Sequence, residues 1–150
     1  MKVLISKCLL GINCKYNGKN NYKKEIKTKL FGIEFIGICP EVEGGLSIPR
    51  EPSEQVKDKV ITVSGKDVTK FFYKGAEIAL KKAKIENIKY AILKSKSPSC
   101  GNKYVYDGTF SNKLIKKDGI TCKILKENGI IIFDENDLDR FEKNFKKSLT

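Results

Sequence analysis

The amino-acid sequence predicts an α/β protein, a three-layer α/β/α sandwich with a mostly parallel, Rossmann-like sheet. Short apolar runs of strand length alternate along the chain with apolar stripes at helical spacing. Their order, βαβ(β)αβαβα, is typical of a parallel sheet with crossover helices on both faces. A chain of 150 residues fits one domain and shows no internal repeat or linker, so we interpret residues 1–150 as a single domain.

The strands are predicted from short apolar runs bounded by turn-forming residues. In chain order they are Lys2–Ser6, 33–38, a short extra strand at 59–63, Tyr90–Leu93 and 130–133. The glycines and prolines of 40–56 predict an irregular stretch, and 102–112 is predicted to be a loop.

The helices are predicted from apolar residues that recur every three or four positions. Asn20 or Asn21 is expected to cap the first helix and Asp67 the longest one, and a short helix around Ile120–Glu127 is expected to stop at Gly129. The three long stripes are Tyr22, Ile26 and Leu30; Val68, Phe72, Ala76, Ala79, Leu80 and Ala83; and Leu138, Phe141, Phe145 and Leu149.

Composition limits the classes of protein that the chain can belong to. Hydrophobic residues at 40% and charged residues at 32% are typical of a globular protein, and no apolar run is long enough to span a bilayer. The first residues follow a strand pattern instead of a signal-peptide pattern, so we expect a cytoplasmic protein with reduced thiols and no membrane partner. Five cysteines, an odd number, then favour metal binding or catalysis over disulfides.

The net charge of +12 raises the hypothesis of a nucleic-acid-binding protein. All but two of the 30 basic residues are lysines, scattered along the chain without interleaved aromatic residues. This pattern argues against a nucleic-acid partner and favours a lysine-rich surface whose positive field attracts a small anion.

Three cysteines follow predicted strands, and they are the most informative residues of the chain. Cys8, Cys39 and Cys100 each come just after the carboxyl end of a strand. Those ends share one edge of a parallel sheet, where ligand sites form, so the three thiols are expected to converge. Because the chain contains no histidine, convergent thiolates indicate a soft-metal site, best matched by an iron–sulfur cluster. Three ligands alone suit a cluster with one open iron.

The other two cysteines have weaker signals. Cys14 lies in a loop and could be a fourth ligand, a resolving thiol or a bystander. Cys122 lies on the apolar face of a short predicted helix, where packing is the expected role.

Several residues near these cysteines are candidates for binding and catalysis. Glu41 is a candidate general base, with a surface or capping acid as the alternative. Ser97 and Ser99 could hydrogen-bond a substrate or belong only to a turn. The backbone N–H groups of 44–45 (Gly44 and Gly45) could bind an anion. Arg50, one of two arginines, weakly suggests bidentate recognition.

Together these motifs resemble the thiouracil desulfidase family, over nearly the whole chain from Val3 to about Phe133. The matching segments, in the family's order, are Ser6-Lys7-Cys8-Leu9-Leu10-Gly11, Cys39-Pro40-Glu41, Gly44-Gly45-Leu46, Pro49-Arg50, Ser97-Pro98-Ser99-Cys100-Gly101 and Tyr106-Asp107-Gly108-Thr109-Phe110.

The resemblance implies a 4Fe–4S enzyme that removes sulfur from thiolated uracil compounds without net redox change. Cys8, Cys39 and Cys100 would be the cluster ligands, Glu41 the acid/base residue and Ser97 the assisting hydroxyl. The short chain favours a small substrate such as thiouracil or 4-thiouridine monophosphate.

One loop departs from the family pattern, because Lys15 and Asn17 stand where relatives commonly have Arg and Asp. The alternative function is a non-catalytic metal-binding or iron–sulfur carrier module that uses Cys14 as well. Such a module would need neither Glu41 nor the hydroxyl of Ser97.

Overall fold

The structure, a computed structural model, describes residues 1–148. Four strands form its central sheet: β1 (Lys2–Ser6), β2 (Glu34–Ile38), β5 (Tyr90–Leu93) and β8 (Ile131–Asp134). They pair in the order β2-β1-β5-β8, and every pairing is parallel. The carboxyl ends of all four strands therefore lie along one edge of the sheet.

Helices cover both faces of this sheet. On one face α1 (Lys24–Lys29) and α5 (Leu138–Ser148) pack against the strands. On the other face lie α3 (Thr69–Ile85) and α4 (Ile120–Glu127). A one-turn helix, α2 (Pro40–Glu43), follows β2 directly. The predicted three-layer sandwich with a mostly parallel sheet is confirmed.

The central strands are apolar on both faces because both faces are covered. In β1, Val3 and Ile5 join the core beneath α1 and α5, whereas Leu4 joins the core beneath α3 and α4. All three side chains are fully buried. Alternate residues of a strand point to opposite faces, so a strand buried on both sides needs a continuous apolar run. This is the pattern from which the strands were predicted.

Two hairpins outside the central sheet differ from the predictions. β3 (Ser53–Val56) pairs antiparallel with β4 (Lys59–Thr62), and β6 (Tyr104–Tyr106) pairs with β7 (Leu114–Lys116). The segments 40–56 and 102–112 are thus more regular than expected, since they contain α2, β3 and β6. Pro40 suits α2 because proline at the first helical position loses no hydrogen bond.

The helix starts also differ in detail. Asn20 accepts the N–H of Tyr22 at 2.9 Å in a turn before α1, and the backbone cap position is Lys23. The cap position of α3 is Val68, one residue after the predicted Asp67, and the Asp67 carboxylate accepts the N–H of Thr69 at 3.0 Å in the turn that leads into the helix. Leu149, in the predicted stripe of the last helix, lies outside the described residues.

The helices of residues 1–148 lack the properties of membrane-spanning segments. None of them combines the length and the apolar character that crossing a bilayer requires.

Candidate active site

Three cysteines from adjacent strands line one cavity at the carboxyl edge of the sheet. Cys8 lies in a 3₁₀ turn directly after β1, Cys39 follows β2, and Cys100 lies in the turn after β5. Because β2, β1 and β5 are neighbours, their ends lie side by side. The cavity between these turns has a volume of about 400 Å³ and is lined by all three residues.

Cys14 is a fourth thiol of the same cavity. It is buried, and its carbonyl oxygen accepts a hydrogen bond from Cys39 Sγ at 3.7 Å. A hydrogen bond from the Cys14 thiol lowers the pKa of Cys39 to about 7, despite burial, and the same pairing raises the pKa of Cys14. Cys39 is therefore the cavity thiol that ionises most readily, and Cys14 is more than a distant bystander.

The remaining thiols of the cavity are held protonated by burial. Burial raises the pKa of Cys8, which a hydrogen bond from Asn21 partly offsets, and burial also raises the pKa of Cys100. Deprotonation of such thiols requires a cation beside them, because a thiolate is the form that binds a metal. Cys122 does not line the cavity; it is fully buried on α4 in the apolar core that also contains Cys100, which fits its predicted packing role.

The donor atoms of the cavity decide which kind of metal group it could hold. Within residues 1–148, no three His, Cys, Asp or Glu side chains are close enough to enclose a single metal ion. An iron–sulfur cluster has different requirements, since its thiolate ligands bind separate irons and stand around a larger body. Thiols without any histidine, set around a cavity of about 400 Å³, fit the cluster better than a single ion.

Glu41 lies on α2 in the wall of this cavity. Its side chain is 17% exposed, and its Oε1 accepts a hydrogen bond from Arg50 Nε at 3.2 Å. Burial raises the pKa of Glu41, and the adjacent guanidinium offsets part of that increase. A partly buried carboxylate beside the thiols has the environment expected of a general base.

The start of α2 fixes the positions of both Cys39 and Glu41. Glu43 Oε1 accepts the N–H of Cys39 at 2.8 Å, which satisfies a donor at the helix start. The same carboxylate forms an ion pair with Lys82 of α3. Gly75 of α3 lets the helices approach closely, because a Cβ atom there would lie 1.9 Å from Pro40 O.

Ser97 shapes the turn that presents Cys100. Its Oγ accepts the N–H groups of Ser99 at 3.1 Å and Cys100 at 3.0 Å, and the residue lines the cavity. The hydroxyl proton of Ser97 is not used by these two bonds, so it can be donated to a molecule in the cavity.

Three residues singled out as candidates for substrate binding do not reach the cavity. Ser99 is fully buried, and its Oγ shares a hydrogen bond of 2.8 Å with Thr121. The N–H groups of Gly44 and Gly45 donate to Pro40 and Val42 inside their own segment. A Cβ atom on Gly44 would lie 2.0 Å from Phe71 O, so this glycine is required for close packing on α3.

Lysines form a part of the cavity wall that sequence reasoning did not single out. Lys7, Lys15, Lys94 and Lys96 all line the cavity, and Lys94 is paired with Glu135 at 3.0 Å. The other three have no acidic partner among residues 1–148. Their positions beside the cysteine motifs were the available signal: Lys7 precedes Cys8, and Lys96 precedes the turn of Cys100. Tyr106 and Asn112 complete the wall from the second hairpin.

Comparisons with known proteins agree with these features. The family model described as 2-thiouracil desulfurase matches residues 3–137. YbbK of Bacillus subtilis (strain 168), described as an uncharacterized protein, is 40% identical over 147 residues, which cover 91% of this chain and 97% of YbbK.

A solved structure is similar over the whole fold. It is that of the 4Fe-4S-dependent thiouracil desulfidase TudS, which superposes with a TM-score of 0.89 at 37% identity and with 99% of each chain covered. The resemblance seen in the sequence motifs is thus confirmed, and so is the prediction of an enzyme of the desulfidase class. The chain belongs to the 2-thiouracil desulfurase family.

Proposed function

We propose that this chain is an iron–sulfur-dependent desulfidase that converts a thiolated uracil compound into the oxo-pyrimidine and sulfide. The observation that carries the proposal is one cavity at the sheet edge, lined by three strand-end cysteines and by Glu41. Family membership and the similarity to a 4Fe-4S-dependent thiouracil desulfidase support it. We further propose that residues 1–150 form one desulfidase domain, acting in the cytoplasm where thiols stay reduced.

Cys8, Cys39 and Cys100 are the residues proposed to hold a 4Fe–4S cluster. Three protein ligands leave one iron without a protein ligand. When bound, the cluster supplies a thiophilic Lewis acid that polarises a C=S bond. Support comes from the all-thiol donor set and from the ready ionisation of Cys39.

Glu41 and Ser97 are the residues proposed to act on the substrate. Glu41 accepts a proton from the water whose oxygen adds to the thiocarbonyl carbon, and the C–S bond then breaks. The carbon exchanges sulfur for oxygen, the two protons of water leave with the sulfide or the solvent, and no electrons are transferred. The Ser97 hydroxyl donates a hydrogen bond that orients the pyrimidine.

A phosphorylated substrate, 4-thiouridine monophosphate, is favoured over the free base. Lys7, Lys15 and Lys96 line the cavity without an acidic partner among residues 1–148. A dianionic phosphate is the natural counterion for these three lysines, and the net charge of +12 attracts anions toward the cavity. The nucleotide should therefore show the lower KM, and that KM should rise with ionic strength.

The test is a sulfide-release assay on anaerobically reconstituted protein, with thiouracil and 4-thiouridine monophosphate as substrates. Glu41→Gln should keep its iron and lose about 100-fold or more in kcat, the usual effect of removing a general base. Glu25→Gln, on the exposed surface of α1, is the matched control and should equal the wild type. A wild type that releases no sulfide from either compound would overturn the function.

The carrier module remains the second candidate, because one observation favours it. Cys14 is buried in the cavity beside Cys39, so four thiols are available there. Four cysteine ligands are typical of closed electron-transfer clusters. The role of Cys14 therefore separates the two functions.

A further inference from the structure

Arg50 connects three segments of the cavity wall. Its Nε donates to Glu41 Oε1 at 3.2 Å, its Nη2 to the carbonyl of Cys14 at 3.0 Å, and its Nη1 to the carbonyl of Ser47 at 3.2 Å. Its backbone N–H also donates to Tyr16 at 2.8 Å. The side chain is only 9% exposed. These contacts make Arg50 part of the protein framework.

We infer that Arg50 is a positioning residue, which fixes the Glu41 carboxylate in the cavity and ties it to the loop that carries Cys14. The inference rests on the proposed role of Glu41 as the base. It differs from the expectation that the guanidinium binds substrate.

The hydrogen-bond arithmetic supports positioning over substrate binding. A guanidinium has five N–H donors; three of them, one on each nitrogen, already serve protein acceptors, so an anion could use only the single N–H left on Nη1 and on Nη2 without displacing one of these bonds. An anionic substrate that displaced the Nε or Nη2 hydrogen bond would release the buried Glu41 carboxylate or the Cys14 carbonyl. Leaving such an acceptor unpaired is costly. The lysines of the wall can bind an anion without this loss.

The geometry also explains how one bond can fix the base. Only Oε1 of Glu41 is engaged by Arg50, and Oε2 has no donor among residues 1–148. Oε2 is thus available to a water molecule in the cavity. Because α2 spans only Pro40–Glu43, the helix alone offers little restraint on the Glu41 rotamer. The planar guanidinium of Arg50 donates to Glu41 through Nε and to the Cys14 carbonyl through Nη2, and this arrangement restrains the carboxylate. A lysine ammonium cannot reproduce it.

The experiment is a double-mutant cycle of Arg50→Lys and Glu41→Gln on reconstituted protein. Arg50→Lys alone should lower kcat by about 10- to 100-fold, the effect of misplacing a catalytic group, with KM within about twofold. In the Glu41→Gln background the same change should cost less than about twofold, because residues that act as a unit are non-additive. Iron content and Tm should stay close to those of the wild type.

Arg140→Lys is the matched control, since Arg140 is the other arginine and lies at the surface beside Asp137. It should leave kcat unchanged. If Arg50→Lys cannot be loaded with iron, Arg50→Gln takes its place in the cycle.

Three results would overturn the inference. They are a full additional loss in the Glu41→Gln background, a raised KM with normal kcat, or a loss of iron in both Arg50→Lys and Arg50→Gln that accounts for the whole loss of activity. Failure of the proposed function looks different: the wild type would release no sulfide, or Glu41→Gln would be fully active.

Discussion

Gly75→Ala tests how the helix packing holds the site. Alanine in the middle of α3 should stabilise the helix by about 1 kcal/mol relative to glycine. Here the added Cβ atom would lie 1.9 Å from Pro40 O and 2.5 Å from Pro40 C. These are backbone atoms between Cys39 and Glu41, so no side chain can rotate away. α2 and α3 must separate instead.

The two effects have opposite signs, and the clash should dominate. Overpacking of a closely packed contact costs up to about 3 kcal/mol. Subtracting the helix-propensity gain of about 1 kcal/mol leaves a net loss of about 2 kcal/mol in the free energy of unfolding. For a chain of 150 residues this corresponds to a fall in Tm of about 4–8 °C.

The assay is thermal unfolding of the variant, followed by iron quantitation after reconstitution. Because the displaced backbone joins Cys39 to Glu41, iron content and kcat should fall together with Tm. Lys74→Ala, an exposed position in the same helix, is the control and should leave all three quantities near the wild-type values. An unchanged or higher Tm for Gly75→Ala would refute the close approach of α2 and α3.

Two further variants test the supports of the turn after β5. Gln55 is buried, and its side-chain amide donates hydrogen bonds to the carbonyls of Pro98 and Asp118, both at 3.0 Å. Gln55→Leu should therefore lower the free energy of unfolding by about 3 kcal/mol and reduce iron loading. Urea unfolding and an iron assay measure these two effects. Burial alone would raise the pKa of Glu135, but hydrogen bonds from the Ser95 N–H and the Lys94 ammonium outweigh it and lower the pKa from its ordinary value of 4.5. A lowered folded-state pKa gives stability that is complete above about pH 4.5 and is lost as pH falls through the folded pKa. Glu135→Gln should therefore destabilise the protein by about 2 kcal/mol at neutral pH and much less in acid, and a loss independent of pH would contradict the ion pair.

The sequence was sufficient to predict the central sheet and the convergence of three cysteines. β1 and β5 have the predicted bounds, because strands buried on both faces are continuous apolar runs. Once those strands are parallel neighbours, the positions of Cys8, Cys39 and Cys100 follow from topology.

The hairpins could not be predicted from local pattern. All three residues of β7 are exposed, so they show no alternation between buried and exposed positions. What holds the two hairpins together is the carboxylate of Glu54, whose Oε1 accepts the N–H groups of Gly108 and Phe110 at 3.0 and 3.1 Å. Contacts between residues so far apart in sequence leave no local signal.

The lack of a local signal also explains why the contacts of Cys14 and Arg50 could not be predicted from the sequence. Cys14 lies in an irregular loop, and the bond from Arg50, 36 positions away, helps to fix it in the cavity. The rarity of arginine marked Arg50 as a residue of interest. Its partner, Glu41, could be found only from the structure.

The measurement that tests the central claim most directly is the iron and acid-labile sulfide content of alanine variants after anaerobic reconstitution. The wild type should contain about four of each per chain, as a 4Fe–4S cluster requires. Cys8→Ala, Cys39→Ala and Cys100→Ala should lose the cluster and activity, whereas Cys14→Ala should keep both, because three thiolates hold the cluster and one iron stays open to the substrate. Loss of the cluster in Cys14→Ala would show a site closed by four cysteines and would contradict the desulfidase mechanism.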